Sequence, residues 1–199
     1  MGAFHDLIVE AGANIGAHTV FFAQAVGAEG VVFAFEPQRL VFQTLCANVA
    51  LNSLTNVYCY EMALGSAAGK IPVPCLDPYV LQNFGGLGLD RGLGGLPVDM
   101  TTIDALELPH CHLIKIDVEG MELQVLEGAL KTITGSRPIL YVENDRPEKS
   151  EALIRFIKNL DYEVATHEPP LFTPENFFRN PDNVFPNLVS QNLVCRPRP

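Results

Sequence analysis

Four carboxylates stand at the ends of short apolar runs, and these residues could do chemistry together. They are Glu10, Glu36, Asp117 and Glu143. Each run has the length and composition of a buried strand, and the carboxyl ends of parallel strands share the edge of a sheet where ligands bind. We therefore expect the four acids to gather at one edge, where they suit a ligand that carries cationic groups and hydroxyls.

A glycine-containing turn follows the first of these acids. Gly12 and Gly16 leave room for a ligand to approach the backbone, and Asn14 is a residue type that tolerates positive φ. An apolar run from His18 to Ala25 predicts a helix after the turn, with Asn14 and Thr19 as candidate caps. Strand, turn and helix in this order bring backbone N–H groups close to a ligand. A purely structural turn is the alternative.

Glu36 strengthens the ligand-binding interpretation. It ends the predicted strand 31–35 and lies in the window, roughly 20 residues past the turn, where an acid accepts hydrogen bonds from ribose hydroxyls. The alternative is a solvated acid before Pro37. Together, the turn and Glu36 predict a nucleoside-binding site.

The composition limits the classes of partner. The chain is 48% apolar and 18% charged, which is typical of a globular domain, and we expect a single domain over 1–199. The net charge of −10 argues against nucleic acid and anionic membranes and is compatible with a small neutral or cationic partner. No apolar run is long enough to span a bilayer. Five scattered cysteines without CxxC spacing fit a reducing compartment, so we expect a cytoplasmic protein.

Strand-like and helix-like segments alternate along the chain. This pattern predicts an α/β fold with a mostly parallel, doubly wound sheet and helices on both faces. A glycine- and proline-rich insertion, 66–98, is interpreted as a mobile lid or acceptor-binding loop, with a disordered surface loop as the alternative. The Pro/Phe-rich segment 169–178 is interpreted as a second wall of the site. The other predicted strands are 57–62, 113–117, 137–145, 162–166 and 193–195, and the other helices are 38–51, 118–130 and 150–160.

Four blocks of the sequence resemble the S-adenosylmethionine-dependent methyltransferases of the FkbM family. They are VEAGANIGAHTVFFA, VFAFEPQRLVFQTLCANVALN, LIKIDVEGMELQVLEGA and RPILYVEND, and they cover most of the chain in order. The resemblance implies a Rossmann-like class I methyltransferase fold, in which the last of seven strands is antiparallel. The family usually has helical material before the first strand, so we expect either a site open on one side or a fragment of a longer polypeptide.

The resemblance also implies where S-adenosylmethionine binds. Glu36 takes the ribose hydroxyls, and the backbone near Ala63 and Leu64 faces the adenine. The positive sulfonium and amine of this cofactor suit acids at the strand ends. The residues expected around the methionine part are Glu10, Gly12, Asn14, Gly16 and Thr19.

Members of the family commonly methylate hydroxyls on sugars or polyketides, and a hydroxyl needs a base to take its proton. Asp117 and Glu119 are the candidates best placed by sequence, followed by Glu143. Lys115 alternates with Asp117 along its strand, so both side chains are expected on the same face. Lys115 is expected either to position a carboxylate or the acceptor oxygen, or to form an ion pair. Glu119 also reads as an ordinary acid in the first turn of a helix. His167, at the end of the sixth predicted strand, is the histidine expected to reach the acceptor.

Other readings stay open at this point. Asp117, Glu143 and Asn144 could supply oxygen ligands to Mg²⁺, similar to catechol-type O-methyltransferases, although we do not expect a metal. An NAD-dependent oxidoreductase is one rival; Asn14, which replaces a fingerprint glycine, and the acid Glu10 count against it. A non-catalytic nucleoside-binding module is another.

Overall fold

A seven-stranded sheet forms the centre of the molecule. The computed structural model describes residues 6–81, 83, 85, 86, 88, 94–176 and 178–199. The strands of the chain are β1 (Leu7–Ala11), β2 (Val31–Phe35), β3 (Val57–Tyr60), β4 (Ala63–Leu64), β5 (Gly69–Val73), β6 (Leu96–Thr101), β7 (Leu113–Ile116), β8 (Ile139–Glu143), β9 (Tyr162–His167) and β10 (Asn192–Pro197).

The central sheet has the order β3-β2-β1-β7-β8-β10-β9. The pairs β2/β3, β1/β2, β1/β7 and β7/β8 are parallel, whereas β10 runs antiparallel to both β8 and β9. The predicted doubly wound sheet with an antiparallel last strand is therefore confirmed. The strand order reverses between β1 and β7, and the carboxyl ends at such a switch point form a crevice.

Helices cover the sheet on both faces because each strand offers alternate apolar side chains to opposite sides. Ile8 and Val32 pack with Ala23 of one helix, and Ala34 packs with Leu45 of the next. A larger core lies on the opposite face and includes Ile114, Ile116, Leu140 and Val142 from the strands. The helices are α1 (Ala17–Val26), α2 (Arg39–Leu51), α3 (Glu122–Glu127), α4 (Leu130–Ser136) and α5 (Pro147–Asn159).

The prediction of one helix through Leu130 is wrong, because α3 ends at Glu127 and a separate helix, α4, begins at Leu130. A Cβ at Gly128 would lie 2.0 Å from the carbonyl oxygen of Gly65, so the backbones meet too closely there for any side chain. The carbonyl of Gly128 also accepts a hydrogen bond from the Asp104 N–H at 2.9 Å. The Asp104 carboxylate then accepts the N–H groups of Lys131 and Thr132 at 2.9 and 2.8 Å, which caps α4 from outside the helix.

The insertion 66–98 contains structure that its composition did not predict. Strands β5 and β6 pair antiparallel, and β6 also pairs with β4, giving a second sheet of three strands. The pair Pro72 and Pro97 lies inside this ladder, although prolines usually interrupt strands because they lack an N–H. Part of the glycine-rich centre, including Gly92, lies outside the described residues.

Smaller differences concern the ends of elements. Strand β8 begins at Ile139, two residues later than Arg137, and α5 begins earlier than predicted, at Pro147. The Pro/Phe-rich segment forms a short hairpin stem, in which the Leu171 N–H donates to the Leu188 carbonyl at 3.0 Å; Phe177 lies outside the described residues. Among the helices that the structure describes, none is long and apolar enough to cross a membrane.

Candidate active site

A cleft opens at the carboxyl ends of β1, β2 and β7. Its walls combine backbone from the glycine turn, acids at strand ends and apolar side chains, which is the composition of a small-molecule site. The lining residues are Gly12, Phe35, Glu36, Pro37, Gln38, Met62, Ala63, Leu64, Asp117, Val118, Glu119 and Met121. Six of the residues predicted from sequence therefore meet here: Gly12, Glu36, Ala63, Leu64, Asp117 and Glu119.

The glycine turn lies across the end of β2. The N–H groups of Gly12 and Ala13 both donate to the Phe35 carbonyl, at 3.0 and 2.9 Å. Gly12 has φ +75°, and a Cβ there would sit 1.8 Å from the carbonyl oxygen of Asp117, so only glycine fits. Asn14 has φ 51°, which confirms that it occupies the left-handed region. The close approach of Gly12 to Asp117 joins the turn to the end of β7.

Glu36 is held in place by two backbone amides. It is 4% exposed, and its oxygens accept hydrogen bonds from the N–H groups of Asn14 and Gln38, both at 2.9 Å. Burial raises the pKa of Glu36 to about 6, although both amide bonds act in the opposite direction. Each carboxylate oxygen has two acceptor positions, so Glu36 retains capacity for two hydroxyl donors in the cleft.

Lys115 is buried beneath the turn and connects its parts. Its Nζ lies 3.3 Å from Glu10 Oε1 and 3.3 Å from Asp117 Oδ2, and it donates to the Gly12 carbonyl at 3.1 Å. Burial alone would lower the pKa of Lys115, but Asp117 and Glu10 raise it above its usual value, so the ammonium persists. Lys115 therefore forms the ion pair that was one of its two sequence interpretations.

Glu10 and Thr19 lie behind the cleft rather than in its wall. Glu10 is 0% exposed, and its Oε2 accepts a hydrogen bond from the Thr19 hydroxyl at 2.6 Å. Burial raises the pKa of Glu10, against the opposing effect of Lys115. Thr19 does not cap α1, because the helix starts at Ala17 with Gly16 as its N-cap residue. Glu10 and Thr19 thus act on the site through Lys115.

Three acids converge where β7 and β8 end. Carboxylate oxygens of Asp117, Glu119 and Glu143 all lie within 4.8 Å of one another. Burial, followed by the neighbouring Asp117 and Glu119 charges, raises the pKa of Glu143 to about 9. Arg146 balances Glu119, with Nη2 at 2.6 Å from Oε2, as Lys115 balances Asp117.

This acidic cluster contains two of the three metal ligands considered from sequence, Asp117 and Glu143. Glu119 joins them as a third carboxylate. Three carboxylate oxygens suit Mg²⁺, but two of the acids already face a lysine or an arginine. The donor set therefore accommodates a cation without requiring one.

A further polar pair lies on the same face of the sheet as Lys115. Tyr141 is the register partner of Lys115 on β8, and its hydroxyl lies 3.0 Å from Nδ1 of His167 at the end of β9. Burial raises the pKa of Tyr141. His18, on α1, stacks on Phe22 with ring centroids 6.1 Å apart.

Comparison with known proteins identifies the family. The family model of the Methyltransferase FkbM domain matches residues 10–164, which contain the carboxyl ends of all three strands at the cleft. The chain belongs to the FkbM methyltransferase family. Its fold also matches the crystal structure of methyltransferase FkbM from Methylobacillus flagellatus KT, with a TM-score of 0.67 at 19% identity over 95% of this chain and 43% of that chain.

Other relatives of this FkbM family member are also methyltransferases. Methyltransferase sdnD of Sordaria araneosa is 29% identical over 157 residues, 62% of this chain and 60% of that protein. The hexuronic acid methyltransferase AglP of Haloferax volcanii is 28% identical over 128 residues, 62% of this chain and 49% of that protein. The chain thus spans about half to three fifths of the length of these curated relatives. The O-methyltransferase TomG of Streptomyces achromogenes, solved in complex with SAM, has a TM-score of 0.59 at 13% identity, over 97% of this chain and 73% of that chain.

Sequence reasoning about this FkbM methyltransferase missed Tyr141. The signal was present, because Tyr141 and Glu143 alternate with Val142 along a strand and must therefore share a face. The contact with His167 was not readable from sequence, because β10 inserts between β8 and β9.

Proposed function

We propose that the chain transfers the methyl group of S-adenosylmethionine to a hydroxyl of a small molecule or sugar. Glu36 is the observation on which this proposal depends: a buried carboxylate, fixed by two amides at the edge of a cleft, matches a pair of vicinal ribose hydroxyls. S-Adenosylmethionine, when bound, supplies a methyl group made electrophilic by its sulfonium.

The other walls of the cleft fit the remaining parts of an adenosine ligand. Met62, Ala63, Leu64 and Val118 offer apolar contact to an adenine, and the backbone of Gly12 permits close approach on the other side. Asp117 gives this end of the cleft a negative charge, which suits a sulfonium and an ammonium. A dinucleotide pyrophosphate would instead meet Asp117 and Glu119, which disfavours NAD.

The charges around the site favour a neutral acceptor. Lys115 is already paired with Glu10 and Asp117, and Arg146 is already paired with Glu119 and Asp145. A uronate, the acceptor that the name of AglP indicates for that protein, would find both cations engaged. We therefore favour a hydroxyl on a neutral sugar or polyketide over an acid. We assign the reaction to the cytoplasm because all five cysteines are free thiols.

Calorimetric titration with S-adenosylhomocysteine and with NAD tests the cofactor. We expect S-adenosylhomocysteine to bind and NAD to give no heat of binding. Glu36→Ala removes two charge-assisted hydrogen bonds, so affinity should fall by roughly 10- to 100-fold, since such bonds contribute about 1.5–3 kcal/mol each with partial compensation by water.

Glu61→Ala is the matched control. Glu61 is an exposed acid directly after β3, outside the lining of the cleft, so its removal should leave affinity unchanged. Equal affinities for Glu36→Ala and the wild type, with both folded by thermal melting, would overturn the ribose assignment. Binding without methyl transfer to any hydroxyl in a panel of sugars and polyketides would instead support a non-catalytic nucleoside-binding module.

A further inference from the structure

Tyr141 and His167 form a pair across three strands of the sheet. Asn192 on β10 is the register partner of both Glu143 and His167, so the three side chains lie on one face at the same edge. Tyr141 lies two residues before Glu143, on that same face, and its hydroxyl reaches across β10 to His167 Nδ1 at 3.0 Å. The two rings meet edge to face, with centroids 5.9 Å apart.

The pair is accessible beside the acidic cluster. His167 is exposed and Tyr141 is half-buried. Because Nδ1 of His167 faces the Tyr141 hydroxyl, Nε2 is the ring nitrogen that is left for a ligand. Tyr141 is the register partner of Lys115, whose ammonium contacts Asp117 in the wall of the cleft. A molecule that enters from the side of β8 would therefore lie between the cleft and the pair.

The acids at this edge are poorly suited to remove a proton from an acceptor. Asp117 is paired with Lys115, and Glu119 is paired with Arg146. Glu143 lies within 4.8 Å of both of these carboxylates, and burial and their charges raise its pKa, which favours its protonated form. Of the residues predicted as bases, His167 is the exposed one.

We propose that His167 is the general base for the acceptor hydroxyl and that Tyr141 is a positioning residue that holds its ring. This inference rests on the proposed methyl transfer. The acceptor oxygen forms a bond to the methyl carbon while the bond between that carbon and sulfur breaks. The electron pair of the broken bond stays on sulfur, which gives the neutral thioether. The hydroxyl proton passes to Nε2 of His167, which becomes an imidazolium.

The role requires one tautomer of His167. If Nδ1 carries the proton and donates to the Tyr141 oxygen, Nε2 has a free lone pair and can accept the acceptor's proton. If the Tyr141 hydroxyl donates to Nδ1 instead, Nε2 carries the proton and cannot act as a base. Among the described residues, the charged or titratable groups around the pair are Lys115 on β7, Asp117 directly after β7, Glu143 on β8 and Glu168, which follows His167 in the chain.

Nitrogen-15 NMR of the histidine rings, recorded on the full chain with S-adenosylhomocysteine, distinguishes the two tautomers. We expect Nδ1 of His167 to be protonated and Nε2 to be bare. His112 is an internal reference for the opposite form, because its Nδ1 accepts the Leu7 N–H at 3.0 Å. A His167 ring with the proton on Nε2, as in His112, would overturn the proposal even if the cofactor binds as proposed.

Variants then test whether the tautomer matters. Tyr141→Phe should shift His167 toward the Nε2–H form and lower kcat, with the KM for S-adenosylmethionine unchanged. Tyr58→Phe removes a hydroxyl from the edge strand β3 and is the matched control. It should change neither the tautomer of His167 nor kcat. His167→Gln should lower kcat by about 100-fold and remove the acidic limb of its pH profile. An unaltered acidic limb in His167→Gln, or an unaltered tautomer in Tyr141→Phe, would overturn the assignment, whereas failure to bind S-adenosylhomocysteine would overturn the proposed function.

Discussion

At the scale of single residues, the candidate site depends on pairing. Lys115 contacts Glu10, Asp117 and the carbonyl of Gly12, so one buried ammonium fixes the position of two acids and of the glycine turn. Removing one partner of such a buried group leaves an uncompensated charge. The individual acids therefore differ in role although they look alike in sequence: Glu36 faces the cleft, Glu10 supports Lys115, and Glu143 has a raised pKa.

The backbone at Gly12 permits a direct test. Gly12→Ala should destabilise the protein by more than the cost of about 1–2 kcal/mol for a left-handed residue, because its Cβ would lie 1.8 Å from the Asp117 carbonyl oxygen. Gly27→Ala is the control without a clash: Gly27 has φ +70° and ψ −174°, and a Cβ there would meet nothing within 4 Å, so it reports the backbone cost of a positive φ in its own conformation. Denaturant unfolding measures both. Equal losses would contradict the close approach of the turn to β7.

The raised pKa of Glu143 has a consequence for stability. Its folded-state pKa, about 9, exceeds its ordinary value of 4.5, so the folded protein holds a proton that the unfolded chain releases. The free energy of unfolding should therefore fall as pH rises from about 4.5 to about 9. Glu143→Gln, which is neutral throughout, should flatten this slope in denaturant titrations across that window. Glu163→Gln, an exposed acid on β9, should leave the slope as in the wild type; a wild-type slope in Glu143→Gln would show that Glu143 is ionised.

At the scale of elements, α2 holds the glycine turn from outside. Leu45 packs against Gly16, where a Cβ would meet Leu45 Cδ1 at 2.8 Å. The Asn48 side chain donates to the Ile15 carbonyl at 2.7 Å. The turn is thus fixed by α2 and by β2 together, which matches a site that must present its backbone to a ligand in a defined conformation.

Loss of the contact between α2 and the glycine turn should weaken cofactor binding more than it affects folding. Asn48→Ala removes one hydrogen bond of about 1 kcal/mol, so affinity for S-adenosylhomocysteine should fall by up to about fivefold. Asn52→Ala is the matched control at the C-cap of the same helix, because its side chain donates to the Asn48 carbonyl rather than to the turn. Calorimetry compares the two. An affinity of Asn48→Ala no lower than that of Asn52→Ala would contradict the role of Asn48 in holding the turn.

At the scale of the whole molecule, a ligand that binds only the folded state must stabilise it. At a concentration 100 times its Kd, S-adenosylhomocysteine should raise the free energy of unfolding by about 2.7 kcal/mol. Chelation of divalent cations should leave this gain unchanged, because Lys115 and Arg146 already balance two acids of the cluster. Thermal melting with and without a chelator measures both effects. A gain lost on chelation and restored by Mg²⁺ would make the acidic cluster a metal site.

Much of the architecture followed from local patterns. Short apolar runs that alternate with amphipathic segments predicted the mostly parallel sheet, and acids at the run ends predicted a ligand-binding edge, because strand direction and side-chain alternation are fixed by backbone geometry. The positive φ of Asn14 followed from residue type. The antiparallel pairing of β5 and β6 did not follow from local patterns, because the glycines and prolines of this segment usually interrupt strands. Pairing between strands more than 20 residues apart overrides that tendency.

The sequence by itself determined the fold class, the glycine turn and the place of Glu36 at the end of its strand, because each depends on contiguous residues whose spacing is readable. Only the tertiary structure decided which acids face the cleft and which are buried in pairs, because Lys115 and Gly12 are 103 residues apart and meet through strand register. The same holds for Tyr141 and His167, which become neighbours because the last strand enters the sheet between theirs. Contacts of this kind depend on strand order, which no local pattern specifies.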